Sequence, residues 1–197
     1  LDHLSQQIRP GEQVNIVNTT EQRGVIVLAG PRSRDVLTSL TDTPLDNEHF
    51  RWRSAQEIEV FGIETRALRM NYVGELGWEL HPAIEDLERL YDAVWGIGEA
   101  HGIADFGLYA MNSLRMEKSY RGWGTELTNE VGMFDAGLAR FLSKTKSDFV
   151  GKSATTTGAS GAFELVYFEV DSIDSDIRGG EPIFFGKDCV GVTTSGA

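Results

Sequence analysis

The sequence predicts an α+β fold, in which strands and helices do not follow a regular β-α-β alternation. Short β-runs are followed by single helices, and no internal repeat is evident along the chain. The chain has 197 residues, of which 41% are hydrophobic. That supply of apolar side chains is enough for one full-sized core, or for one core and a smaller module.

The sequence of the first half of the chain predicts strands separated by glycine-containing or polar turns. These strands are predicted at 14–17, 24–28, 58–61, 63–72 and 78–80. Pro31, after the second strand, suits the first position of a short helix because its φ angle is already helical. Gly62 permits a tight turn between the third and fourth strands.

Two longer helices are predicted in the middle of the chain. Apolar residues at spacings of three and four indicate the clearest helix over 83–101. A second helical pattern covers 108–120, and Asp105 is placed before it as an N-cap.

A run of small and polar residues at 153–161 is typical of a linker. We therefore predict a first domain over 1–152 and a second over 162–197. Strands of the second domain are predicted at 163–170, 182–185 and 190–194, with a hairpin loop at 186–188.

Composition excludes several classes of function. The formal net charge is -12, and no segment gathers Lys and Arg into a stripe, so no nucleic-acid partner is expected. No apolar run approaches the roughly 20 residues that cross a bilayer, so no membrane partner is expected. Cys189 is the single cysteine and the four histidines are scattered, so we expect no metal site and a reducing compartment.

Glycines and charged residues elsewhere have ordinary explanations. The strand-turn-helix unit near Gly30 lacks the GxGxxG pattern of dinucleotide-binding folds. Arg115, Glu117 and Lys118 lie within one helical turn, which predicts a local surface ion-pair network without a catalytic role. No nucleophile-and-base set is evident in the sequence.

The segment 71–80 carries two glycines, two aromatic residues and two carboxylates around one turn. A carboxylate accepts two adjacent donors, so Glu79 suits the ring N–H and exocyclic amine of a pterin. The alternative is that Glu79 faces solvent and Tyr72 packs in the core. Spacing alone does not decide between them.

A second candidate site follows the helix predicted over 108–120. Tyr120, Arg121 and Trp123 can stack on a flat ring or pair with a ligand carboxylate. Aromatic packing beneath a loop is the alternative explanation.

Residues 72–80, Tyr-Val-Gly-Glu-Leu-Gly-Trp-Glu-Leu, resemble the YxGExGxE motif of the folate-binding aminomethyltransferase superfamily, which includes the glycine-cleavage T-protein. Residues 105–118 and 120–124 are similar to the matching stretch of dimethylglycine and sarcosine dehydrogenases. Further landmarks follow in the same order at 28–34, 136–138, 148–152 and 191–196. The resemblance covers nearly the whole chain.

The resemblance implies an aminomethyltransferase-like folate-binding fold with the beginning of a C-terminal β-barrel domain, truncated at both ends. It implies Tyr72 and Glu79 as tetrahydrofolate contacts, Glu79 on the pterin, with Tyr120, Arg121 and Trp123 as weaker candidates. The family's catalytic Asp would lie upstream, so no catalytic residue is expected here. The chain alone is expected to be inactive.

The resemblance also implies an FAD-binding region that precedes this one on the same polypeptide. There, flavin oxidises the N-methyl group of a small methylamine such as dimethylglycine or sarcosine. Tetrahydrofolate captures the released one-carbon unit as 5,10-methylenetetrahydrofolate. The family's locations are the bacterial cytoplasm and the mitochondrial matrix.

Two other functions stay open at this point. One is a flavin-independent aminomethyltransferase or demethylase of the same superfamily, and the other is a non-catalytic folate-binding regulatory module. Met111 stands where the glycine-cleavage enzymes carry a folate-contacting Arg. That difference favours the methylamine dehydrogenase branch.

Overall fold

The computed structural model describes residues 1–157 and 163–197. Two compact units are evident, Leu1–Asp105 and Phe106–Ala197. The predicted domain boundary after residue 152 stays a prediction. Of the predicted linker, residues 153–157 belong to a helix, and residues 158–161 lie outside the described part of the chain.

The first unit is a four-stranded antiparallel sheet with short and medium helices. Its helices are α1 (Asp2–Gln6), α2 (Ser33–Thr38) and α3 (Leu87–Gly98). Its strands are β1 (Ile26–Ala29), β2 (Ala55–Val60), β3 (Ile63–Leu68) and β4 (Gly77–Pro82). The strand order is β1-β4-β3-β2, so β4 lies between β1 and β3. Single-turn 3₁₀ helices, Ile84–Asp86 and Glu99–His101, flank α3.

Alternation along the strands gives this sheet two different faces. The core face and the helices contribute buried apolar side chains, which include Leu28, Val36, Leu37, Ile58, Val60, Ile63, Ala67, Trp78, Leu80, Leu90 and Val94. The opposite side, here called the outer face, carries Val27, Glu57, Arg66, Leu68, Glu79 and His81. The apolar side chains that form the core thereby decide which polar side chains face outward.

The connection from β3 to β4 is closed by Asn71. Its Oδ1 accepts the backbone N–H groups of Val73 and Gly74, each at 3.0 Å, and its Nδ2 donates to the Glu75 carbonyl at 3.0 Å. Gly74 has φ 74°, a left-handed conformation that costs a glycine little. The turn is therefore held by one asparagine and one glycine of the 71–80 segment.

The same connection is attached to the start of α2. The Leu76 carbonyl accepts the Gly30 N–H at 2.8 Å and the Ser33 hydroxyl at 3.0 Å, and Ser33 is buried. Gly77 follows with no room for a side chain, because an added Cβ would lie 2.5 Å from the Leu28 carbonyl oxygen. Strand β4 thus begins in close contact with the end of β1.

The second unit has fewer regular elements among its described residues. They are helices α4 (Leu108–Glu117) and α5 (Lys152–Thr157), a 3₁₀ turn at Ala139–Phe141, and strands β5 (Pro182–Phe185) and β6 (Asp188–Val192). The two strands form an antiparallel hairpin that turns at Gly186, with φ 66°. The predicted hairpin loop is confirmed, and the start of a β-barrel stays a prediction.

The mixed helix-and-strand class predicted from the sequence is confirmed, but two predicted strands are wrong. Residues 14–17 and 163–170 belong to no strand. Val14, Val17 and Phe168 are exposed. A β-favouring composition forms a strand only where a neighbouring strand completes the hydrogen-bond ladder, and these segments have none among the described residues.

The predicted cap of α4 is also wrong. Helix α4 begins after Gly107, and no side chain caps it. The Asp105 carboxylate instead accepts the Tyr91 hydroxyl at 3.0 Å, from α3. Asp105 lies two residues too early, because a capping side chain must directly precede the first helical residue.

We expect Gly77→Ala to lower the free energy of unfolding by about 1–3 kcal/mol, because the new methyl group would overlap backbone atoms of β1. Gly96→Ala is the matched control: an added Cβ there meets open space inside α3, so stability should rise by about 0.5–1 kcal/mol. Urea denaturation of both variants measures the difference. Equal stabilities for the two variants would contradict the close approach of β1 and β4.

Candidate functional site

Glu79 lies on the outer face of β4, directly between Val27 of β1 and Leu68 of β3. Its side chain is 28% exposed. Two apolar neighbours therefore shield the carboxylate partly from water, which strengthens any hydrogen bond that it accepts. This position suits a flat ligand with an apolar face and a donor edge.

His81 is the next outer-face residue along β4. Its Nε2 lies 3.4 Å from Oε2 of Glu79, and its side chain is 25% exposed. Arg66 is opposite His81 on β3 and is bound to Glu57 of β2 at 2.5 Å. His81, Arg66 and Glu57 therefore form a row of polar side chains. This row lies beside the row of Val27, Glu79 and Leu68.

Tyr72 lies in the turn that leads into β4 and is half-buried. It is thus neither a core aromatic residue nor a fully exposed one. Tyr72 lies in the connection that Asn71 closes, and Glu79 lies in the strand that follows it. Their roles as ligand contacts stay predictions.

Trp78, the residue before Glu79, is fully buried on the core face. The guanidinium groups of Arg34 and Arg69 lie over its ring at 5.9 and 5.7 Å from the centroid. Arg69 also donates to the Phe50 carbonyl at 2.5 Å, and both arginines donate to Oδ1 of Asn47. Burial and the positive charge of Arg34 lower the pKa of Arg69. This cation–π cluster is not predicted from the sequence, because no linear motif identifies it.

Arg121 of the second unit is engaged with its own unit. Its Nε donates to the Ala136 carbonyl at 3.0 Å, and its guanidinium lies 5.9 Å from the centroid of the Tyr167 ring. A side chain on Gly137 would meet the guanidinium at 2.8 Å. Arg121 therefore joins the loop after α4 to residues 136–137.

The other two weaker candidates differ in exposure. Tyr120 is half-buried, whereas Trp123 is 88% exposed and its ring is available for stacking. Tyr72 and Glu79 belong to the first compact unit, and Tyr120, Arg121 and Trp123 to the second. The roles of Tyr120, Arg121 and Trp123 as ligand contacts stay predictions.

Arg115 does not form the surface ion-pair network that its sequence neighbours suggest. The side chain is 4% exposed, and Nη1 lies 3.0 Å from Oε2 of Glu126, which is also 4% exposed. Nη1 also donates to the Tyr120 carbonyl at 2.8 Å. The prediction was wrong because helical spacing identifies only partners within one turn, and Glu126 is eleven residues away.

This buried pair also holds the C-terminal segment. Arg115 donates through Nη2 to the Ser195 hydroxyl at 2.6 Å, and the Thr194 hydroxyl donates to Oε1 of Glu126 at 2.7 Å. Residues 194–195 belong to the landmark at 191–196. Hydrogen bonds from this ion pair thus join the segment 105–118 to the segment 191–196, which is distant in sequence.

The pKa of Glu126 reflects these contacts. Burial by itself would raise the pKa, but hydrogen bonds from the Ser195 and Thr194 hydroxyls, the Gly122 N–H and the Thr125 hydroxyl lower it to about 2. Glu126 is therefore ionised at neutral pH, as its ion pair requires.

Within residues 1–157 and 163–197, no group of three or more His, Cys, Asp or Glu side chains is arranged to hold a metal ion. In the same ranges, no helix has both the length and the apolar character that a membrane span needs.

The antiparallel sheet of the first unit carries a partly shielded carboxylate, Glu79, on its outer face. Residues 1–146 match the family model described as the GCVT N-terminal domain, and the chain belongs to that family. The resemblance inferred from residues 72–80 is confirmed by this match.

Curated relatives carry the names expected from the motifs. The chain is 39% identical over 193 residues to mitochondrial dimethylglycine dehydrogenase of Homo sapiens, covering 96% of the chain and 22% of that protein. It is 36% identical over 155 residues to mitochondrial sarcosine dehydrogenase of Mus musculus, covering 77% and 17%. An aminomethyltransferase of Listeria welshimeri is 31% identical over 186 residues, covering 93% and 50%. The chain thus spans only a part of each relative.

We expect Glu126→Gln to destabilise the protein by about 3–5 kcal/mol at neutral pH, because Arg115 then stays buried without a counter-charge. The pKa of Glu126 is about 2 in the folded chain against an ordinary 4.5. Its stabilising contribution is therefore complete above pH 4.5 and is lost as the pH falls toward 2. The variant should lose less stability than the parent across that interval.

Urea denaturation at neutral pH and at about pH 3 measures both effects. Asp46 and Glu181, whose pKa values are also lowered to about 2, titrate in both proteins and cancel in the comparison. Glu130→Gln, at an exposed carboxylate, is the control and should change little. Parallel acid profiles for parent and Glu126→Gln would contradict the assignment.

Proposed function

We propose that the chain is the tetrahydrofolate-binding portion of an FAD-linked enzyme that demethylates a small methylamine and captures the one-carbon unit as 5,10-methylenetetrahydrofolate. The single observation that carries this proposal is the position of Glu79 between Val27 and Leu68 on the outer face. Dimethylglycine and sarcosine are the proposed substrates, and the names of two groups of relatives support them.

The residues around Glu79 fit a pterin ring. A pterin is flat, with apolar faces and an edge that carries two neighbouring N–H donors. An ionised carboxylate accepts both donors in parallel, and such charge-assisted bonds are about twice as strong as neutral ones. Val27 and Leu68 give the ring apolar surface on both sides of the carboxylate. Tyr72, in the preceding turn, is the second proposed contact.

Tetrahydrofolate, when bound, supplies the nitrogen atoms that take up the one-carbon unit. In this proposal Glu79 orients the ring, and Val27 with Leu68 keeps water from part of its surface. Trp123 offers an exposed ring for stacking. Arg121 positions the adjacent loop through Ala136, and Tyr120 stays a weaker candidate contact.

The remaining parts of the enzyme are proposed to lie elsewhere on the same polypeptide. No residue of this chain is assigned to FAD, whose proposed binding region precedes the chain together with the family's catalytic Asp. On this proposal residues 1–197 alone are inactive, and residues 162–197 begin a β-barrel domain. The proposed compartment is the mitochondrial matrix or the bacterial cytoplasm.

A flavin-independent aminomethyltransferase is the second candidate. The 31% identity to the Listeria welshimeri aminomethyltransferase, over 93% of the chain, favours it. Flavin content separates the two candidates: FAD in the purified full-length protein supports the first, and a flavin-free protein with methyl-transfer activity supports the second. A folate-binding regulatory module would show neither flavin nor transfer.

We expect Glu79→Gln to weaken the binding of tetrahydrofolate at least tenfold, because a hydrogen bond to a charged group contributes about 1.5–3 kcal/mol. Calorimetric titration under anaerobic conditions measures the dissociation constant. Glu59→Gln is the matched control, since Glu59 is an exposed carboxylate of β2. Binding that is absent from the parent, or equal in Glu79→Gln, would refute the proposed site.

A further inference from the structure

His81 makes a polar contact with the Glu79 carboxylate, with Nε2 at 3.4 Å from Oε2. The two side chains are residues i and i+2 of one strand, so both point to the outer face. An ionised carboxylate only accepts hydrogen bonds. The contact therefore requires a proton on Nε2 of the imidazole.

Charged groups around His81 come from three neighbouring segments. Arg66 lies opposite on β3, where Glu64 is the previous outer-face residue, and Glu57 of β2 binds Arg66 at 2.5 Å. From the segment before β1, Arg23 donates through Nη1 to the His81 carbonyl at 3.1 Å. Glu57 is paired with Arg66, whereas the Glu79 carboxylate contacts the imidazole itself, at 3.4 Å.

We propose that His81 is a positioning residue for the ligand of Glu79. Its Nε2–H holds one carboxylate oxygen, so that the remaining acceptor sites face a ligand with two neighbouring N–H donors. Protonation of the imidazole weakens the binding of that ligand. This inference rests on the proposed function, because it assigns the donor-edge ligand to Glu79. It adds a residue and a dependence on pH to the site.

The neutral and charged imidazole act differently on the carboxylate. A neutral imidazole donates one hydrogen bond and leaves the negative charge of Glu79 available to the ligand. An imidazolium at 3.4 Å forms an ion pair and competes with the ligand for that charge. Protonation of the imidazole and ligand binding therefore oppose each other, and by linkage the affinity falls as the pH is lowered.

Two substitutions separate these effects. His81→Gln keeps an N–H donor but cannot titrate, whereas His81→Leu removes the donor and keeps bulk. At about pH 8, His81→Gln should bind tetrahydrofolate like the parent, and His81→Leu should bind it about three- to tenfold more weakly. A purely structural role would not be rescued by glutamine.

The pH profile is the second readout. Between about pH 8 and pH 5.5 the parent should lose affinity at least threefold relative to His81→Gln, because an imidazole can take up a proton and the glutamine amide cannot. The ratio of the two dissociation constants removes the titration of the ligand itself. Unfolding midpoints of the variants show whether each one is folded at every pH used.

The outcomes distinguish a failure of the His81 proposal from a failure of the proposed folate site. If Glu79→Gln loses affinity while both His81 variants bind like the parent at every pH, His81 has no positioning role and the folate site stands. If the parent does not bind tetrahydrofolate, the proposed function fails and this inference fails with it. A constant ratio of parent to His81→Gln dissociation constants overturns the pH dependence.

Discussion

Trp78 lies on the core face of β4, where it makes an edge-to-face contact with Phe50 at 6.2 Å between ring centroids and carries Arg34 and Arg69 over its ring. Successive residues of a strand point to opposite faces, so a slip of one residue would exchange them. Burial of this indole therefore makes Glu79 face outward. The turn at Asn71 and the missing side chain at Gly77 hold the same register.

Strand β4, which ends the motif that carries the family resemblance, therefore has residues that hold the strand and residues that face outward. Gly77 and Trp78 hold strand β4 in place, while Glu79 and His81 present polar atoms on the outer face. The second unit uses a comparable device, because a buried arginine, Arg115, joins α4 to Glu126 and to the C-terminal segment. Each unit thus buries an arginine in its interior, Arg69 in the first and Arg115 in the second.

The sequence was sufficient for those elements in which local pattern and tertiary packing agree. The helix at 83–101 and the strand at 78–80 were located because their apolar periodicity is the pattern that the core buries. Failure came where a distant partner decides the outcome. The segment at 163–170 has strand-like composition but no partner strand in the described part of the chain, and Arg115 pairs with a carboxylate eleven residues away. The family motif predicted Tyr72 and Glu79 as site residues. Only the sheet register identifies Val27, Leu68 and His81 as neighbours of Glu79.

A crystal structure of the protein with tetrahydrofolate would show which atoms contact Glu79. We expect a pterin ring on the outer face beside Val27 and Leu68, with its ring N–H and exocyclic amine donating to the Glu79 carboxylate. His81 should remain within hydrogen-bond distance of the same carboxylate. A pterin bound elsewhere, with Glu79 in contact only with water, would refute the proposed site.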